Sequence, residues 1–213
     1  MLQTKPDALD IRNGAVVDAD SGSERMMLSD LARTVYYRGN ELPADLKPEL
    51  IATRHYRVTD FPFVFTNGAM AAHVEVDTDT GLIKVLHFWA VEDCGRVINP
   101  MLVDEQVRGG VVQGIGGALY EECIYGEDGT MLNTTMADYL GPVAAETPEM
   151  TAAHIETPTK SSVLGAKGAG EAGTGGAPAA LMNAVNDAIR PLGASIWQMP
   201  MTPERMLRAL GRV

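Results

Sequence analysis

Cysteine is nearly missing from this chain: Cys94 and Cys123 are the only two, far apart and in no CxxC arrangement. That excludes a cysteine-ligated iron–sulfur cluster or zinc site built from this sequence. A disulfide between them stays open, but two reduced, buried thiols are the simpler expectation for a cytoplasmic protein. Histidine is sparse too, and His55, His73, His87 and His154 show no zinc-type spacing. Basic residues are in the minority, 17 Lys and Arg against 28 Asp and Glu, so the formal net charge is −11. A phosphate-backbone partner is therefore not expected. No apolar run approaches the length that spans a bilayer. The opening MLQTKPDALD lacks the basic-then-apolar pattern of a secretory signal. The expectation is a cytoplasmic protein with no nucleic-acid partner and no membrane span. Its 213 residues suit one large domain or two small ones. Signature motifs are also lacking. There is no GxxxxGK[ST] and no GxSxG, which excludes a P-loop and an esterase elbow.

What is present begins at Met70. Residues 1–60 are weakly periodic, with Ser29 placed to cap a short helix and Pro43 and Pro48 marking a loop. From Met70, Val74 and Val76 alternate with polar residues, and Ile83, Val85 and the run Leu86 to Val91 follow. The cluster Asp77-Thr78-Asp79-Thr80-Gly81 separates them, which predicts a long β-hairpin. His73 and His87 then read as sheet-face residues. Asn99-Pro100 predicts a helix start. Beyond it, Val107, Val111, Ile115 and Leu119 recur at helical spacing. Glu121 and Glu122 at its far end read as solvated. The same helix carries five glycines, and each interior glycine costs roughly 1 kcal/mol relative to Ala. Gln106, Gly110, Gln113, Gly114 and Gly117 share one face. That face reads either as close approach by a ligand or as tight helix packing, and packing is the simpler reading. Segments 129–139 and 150–157 predict strands. Pro178 predicts the start of a second helix that Arg190-Pro191 ends, and Thr202-Pro203-Glu204 a short final one.

The segment GAKGAGEAGTGGAP, from Gly165 to Pro178, isolates one carboxylate, Glu171, among glycines and alanines. Small residues let backbone approach a bulky ligand. A lone carboxylate in so cramped a loop is expected to lose water and be poised for proton transfer. Lys167 either anchors an anionic ligand or is a surface lysine. Gly168, Gly170 and Gly173 satisfy GxGxxG, with Asp187 at the spacing of a ribose contact. A dinucleotide fold is not expected, because the predicted helix begins only at Pro178.

Four ordered segments resemble the molybdenum-binding subunit of the molybdenum hydroxylases, the xanthine dehydrogenase and aldehyde oxidase family. They are Glu75-Val76-Asp77 through Thr80-Gly81, DCGRVINP from Asp93, QVRGGVVQGIGGALYEE from Gln106, and KGAGEAGTGGAPAALMNAVNDAI from Lys167. The GEAGT loop is more similar to bacterial large subunits of the carbon monoxide dehydrogenase type than to the animal xanthine enzymes. The resemblance covers the chain from about Gly68 onward and is weak before that. It implies the C-terminal portion of a molybdopterin-binding domain, with 1–67 peripheral and 68–213 the family-like core. The implied fold is α+β, a mixed sheet with the hairpin packed by the glycine-rich helix and a second helix.

The resemblance also implies function. Glu171 matches the family's catalytic glutamate, the general base. Gln106 matches the glutamine that holds the pterin, and Lys167, Gly168, Ala169 and Gly170 match loop positions beside the cofactor. No residue of this chain is expected to ligate the metal. The implied cofactor is molybdopterin with molybdenum, in the cytosine dinucleotide form, shared with a partner chain that carries the N-terminal part of the subunit. Iron–sulfur clusters and FAD are implied only on partner subunits. The implied reaction oxidises an aldehyde or an N-heteroaromatic carbon, with water as oxygen source. Glu105 and Arg108 depart from the family's pattern around Gln106. The family's subunit is several times longer, so this chain is not expected to be active alone. The other class of reading is a non-catalytic assembly module, or a truncated inactive fragment.

Overall fold

The computed structural model describes residues 2–57 and 64–213. The chain divides into two compact units, Met1–Arg57 and Val58–Val213. The first holds a three-stranded antiparallel sheet of β1 (Leu9–Arg12), β2 (Ala15–Asp18) and β3 (Glu24–Met27), followed by helix α1 (Leu28–Tyr37). Asn13 and Gly14 join β1 to β2 with φ of 50° and 77°. An Asn-Gly pair with both residues left-handed is the preferred two-residue hairpin turn. Ala15, Val16, Val17 and Val35 are buried. Ser29 does not cap α1: Met27 holds the cap position and Ser29 lies inside the first turn.

The second unit is a mixed three-stranded sheet packed by helices. Strands β4 (Asn67–Val76) and β5 (Ile83–Asp93) form the long antiparallel hairpin, and β6 (Glu149–His154) pairs parallel to β5. The hairpin turn is held by Asp77, whose Oδ1 accepts from the amides of Asp79 and Thr80 at 2.9 and 3.1 Å. Gly81 closes it with φ of 75°. Helix α2 (Pro100–Leu119) follows β5, with Asn99 Oδ1 accepting from the Leu102 amide. Helix α3 (Ala172–Ile189) and the short α4 (Pro203–Ala209), capped by Thr202, complete it. Phe88 and Ala90 of β5, Val107, Val111 and Ile115 of α2, Leu181, Val185 and Ile189 of α3, and Met206 of α4 form one core. The fold is α+β, as expected.

Four local expectations are corrected. Helix α3 begins at Ala172, and Pro178 sits inside it. Its glycine-rich first turns are ordered by α2: Thr174 Oγ1 donates to the Gly110 carbonyl at 3.1 Å. The GxGxxG run therefore does open a helix, but it follows an irregular segment, and the sheet is a hairpin plus one parallel strand, not doubly wound. Segment 129–139 is not a strand. Tyr125 and Met131 make one isolated bridge, and Asp128 and Asn133 side chains take up the local amides instead. Glu121 and Glu122 are not free in solvent: Glu121 accepts from the Tyr139 hydroxyl and Glu122 pairs with Arg205. Cys94 is buried but Cys123 is exposed, and both are free.

The glycines of α2 divide by neighbour. A Cβ at Gly110 would meet Gly173 of α3, and one at Gly114 would meet Ala177, so these two are packing residues. At Gly109 and Gly117 a Cβ would meet nothing.

Candidate functional site

Two loops meet where β5 hands over to α2. The chain leaving β5 pairs with the segment ahead of α3 through an antiparallel bridge between Gly95 and Ala166. The Lys167 amide donates to the Cys94 carbonyl at 2.7 Å, and the Arg96 amide to the Gly165 carbonyl at 3.0 Å. Gly95 and Gly165 both hold left-handed φ, of 70° and 76°. A Cβ on Gly95 would strike the Gly165 carbonyl, so the crossing requires glycine there.

Asp93 fastens the junction. Its Oδ1 accepts from the Gly95 amide at 2.9 Å, the Thr157 amide at 3.1 Å and Lys167 Nζ at 3.2 Å. Hydrogen bonding from Thr157 first, then from Gly95 and Lys167, holds its carboxyl well below the usual range. Lys167 and Asp93 are both mostly buried in this ion pair. The lysine ammonium is thus engaged by the loop's own scaffold, and Lys167 is not a surface lysine. Its role in the structure is to hold the backbone of residues 165–170.

Glu171 follows at the cap position of α3. Its side chain does not cap the helix, and its carbonyl accepts from the amides of Thr174 and Gly175. Gln106, in the second turn of α2, donates from Nε2 to the Gly170 carbonyl at 2.7 Å. This bond ties Gln106 of α2 to the backbone of the residue immediately before Glu171. Arg108 points elsewhere, donating to Asp104 at 2.7 Å and to the Met150 carbonyl at 2.8 Å. Its departure from the family's pattern thus serves α2–β6 packing.

Glu171 is exposed, which corrects the expectation that it loses water within this chain. It lines an open cavity of about 360 Å³, together with Asn67, Gly68, Met70, Asn183 and a second carboxylate, Glu92. Glu92 is the desolvated one. It is 3% exposed, and burial pushes its carboxyl up to about 7. Sequence reading passed over it. The available signal was its phase: Phe88, Ala90 and Glu92 share one face of β5, and the first two are core residues. Among the described residues, no group of three or more His, Cys, Asp or Glu side chains is arranged to hold a metal ion. Among them also, no helix is long and apolar enough to cross a membrane.

Gly168 and Gly170 are exposed, and a Cβ at either would meet open space, so bare backbone is presented. One amide and one carboxylate flank it. The sequence matches the molybdopterin cofactor-binding domain family over residues 1–148.

The chain belongs to the molybdenum hydroxylase large-subunit family. It is 40% identical over 209 residues to the nicotine 6-hydroxylase large subunit of Paenarthrobacter nicotinovorans, covering 98% of this chain and 25% of that one. It is 32% identical over 210 residues to the carbon monoxide dehydrogenase large chain of Hydrogenophaga pseudoflava, covering 99% and 26%. The solved structure of quinoline 2-oxidoreductase from Pseudomonas putida 86 superposes with a TM-score of 0.77 at 38% identity, over 99% of this chain and 26% of that one. The chain thus spans about a quarter of the length of the relatives it matches. These relatives are oxidoreductases, and the similarity extends through the first 67 residues.

Proposed function

We propose that this chain is the C-terminal portion of the molybdenum-binding subunit of a cytoplasmic hydroxylase. Residues 68–213 are its family-like core and 1–67 are peripheral. The enzyme oxidises an aldehyde or an N-heteroaromatic carbon and takes its oxygen from water. The observation that carries this reading is the 2.7 Å bond from Gln106 to the carbonyl of Gly170, the residue before Glu171. Molybdopterin cytosine dinucleotide with molybdenum, when bound, supplies the electron sink. A partner chain with the N-terminal part of the subunit completes its site, and further subunits carry iron–sulfur clusters and FAD.

Within this chain the division of labour is specific. Gln106 orients the pterin and at the same time fixes the loop. Gly168, Ala169 and Gly170 offer backbone at close range. Lys167 works one step removed, through its ion pair with Asp93. Glu171 takes the proton from the oxygen nucleophile as it attacks the substrate carbon. Its exposure here fits a carboxylate that is enclosed only when cofactor and partner chain cover it.

That exposure also favours a second reading, a non-catalytic assembly module or inactive fragment whose cofactor face is unused. One variant separates the two. In the assembled enzyme, Glu171→Gln should lower turnover by about a thousandfold or more, with molybdenum content unchanged. Wild-type rates in that variant would remove Glu171 from catalysis and leave the module reading.

A further inference from the structure

Glu92 lies at a boundary. It lines the Glu171 cavity and also a second, adjoining cavity of about 260 Å³, bounded by Val91, Asp93 and Ile155. Asn67 and Gly68 are shared by both. The register explains the placement. Glu92 pairs with Gly68 across the hairpin, and its carboxylate fills the space that a Cβ at residue 68 would need. A side chain there would drive the carboxylate out. A glycine facing a buried glutamate is therefore a matched pair that keeps one acidic group in the wall between two cavities.

Burying a carboxylate with no ion-pair partner is costly unless the group carries a proton. Lys167, a cation of the same junction, is paired with Asp93. Among the described residues, the titratable groups placed near Glu92 are Glu171, which lines the same cavity, Asp93 next to it on β5, and its register partner His154 on β6, whose Nε2 stands 3.9 Å from Asp104. Burial alone sets Glu92 at about 7. Such a group both accepts and releases a proton near neutrality.

Under the proposed function, oxidation with water as oxygen source releases protons as well as electrons, and Glu171 collects one of those protons. Cofactor and partner chain cover the Glu171 edge, so the proton needs an exit through this chain. We infer that Glu92 is the proton relay of this cavity, receiving the proton from Glu171 and releasing it into the second cavity. This rests on the reading of Glu171 as the base. Each transfer breaks one O–H bond and forms another through an intervening water; Glu171 returns to the carboxylate and no electrons move. Both cavities are large enough for water, and Glu92 with Asn67 supplies each of them with polar side chains.

The test uses the assembled enzyme and the Glu92→Gln variant, which keeps shape and loses the titrating proton. The first turnover, read as anaerobic reduction by substrate, should stay within about twofold of wild type, while steady-state kcat falls about tenfold. Small diffusible weak acids should restore kcat, and Glu92→Asp should retain part of it. Infrared titration supplies a readout that needs no turnover: a carboxylic acid band that ionises near pH 7 and is missing in Glu92→Gln. Unchanged kcat, absence of that band, or equal loss of the first turnover would each overturn the relay. If Glu171→Gln also leaves turnover intact, the base assignment itself has failed; if Glu171→Gln is inactive and Glu92→Gln is normal, the relay alone has failed.

Discussion

Glu92 and Glu171 line one cavity, yet only Glu92 is shielded from water, so the same functional group meets two dielectric surroundings. A stability consequence follows for Glu92 alone. Its carboxyl is raised from 4.5 to about 7 in the folded chain. Below pH 4.5 the folded and unfolded chains both hold the proton, and the contribution is fully present. Between about 4.5 and 7 the unfolded chain ionises first, so stability falls as pH rises, by up to about 3 kcal/mol. Above that window the loss is complete and constant. Glu92→Gln does not titrate, so the variant should gain on wild type across this window. Urea unfolding of both proteins at about pH 5 and about pH 8 measures the difference. Parallel pH dependence in the two would mean that the carboxyl is not desolvated. Glu171 was legible because a charge among glycines and alanines stands out. Glu92 was not, because it ends an apolar strand where an acidic residue resembles the first residue of a loop.

At the scale of elements, α2 and α3 are drawn together by glycine. A Cβ on Gly173 would run into the Val107 carbonyl, which is backbone and has no rotamer to yield. Gly173→Ala should therefore destabilise by about 1–3 kcal/mol. Gly117 lies on the exposed side of the same helix, where a Cβ meets nothing, so Gly117→Ala should stabilise by up to about 1 kcal/mol. Denaturation midpoints of the two variants check the contrast, and like-signed shifts would show that glycine acts here only through chain entropy. The two glycine classes were not separable in the sequence, since both sit in one run. The hairpin and α2 were legible, because alternation, the Asp-Gly turn cluster and the Asn99 cap all agree. The start of α3 was not: its first turns are glycine and alanine with no apolar period, and Pro178 resembles a first helical residue. The Asn13-Gly14 turn was a readable hairpin signal in a stretch that otherwise lacked periodicity.

At the scale of the molecule, the site joins parts distant in sequence. Gln106 reaches Gly170 across 64 residues, and only family resemblance made that meeting visible beforehand. The edge it creates is bare backbone, and the chain spans about a quarter of the relatives' length. Large apolar side chains stand uncovered in the same unit, among them Met136 at 89%, Val163 at 80% and Trp197 at 76% exposed. A cofactor held here would touch one amide, a short stretch of backbone and one carboxylate, with Lys167 already engaged by Asp93. That is too few contacts to retain a large anionic group against dilution. Purified alone, the chain should carry almost no molybdenum or pterin. Co-expressed with the remainder of a large subunit, it should co-purify with both, read by metal analysis and pterin fluorescence. A complex that forms without metal would place this chain among assembly modules, because docking would then proceed while the cofactor edge stays unused. Retention of metal by the isolated chain would mean that the glycine edge binds far more strongly than its exposed contacts allow.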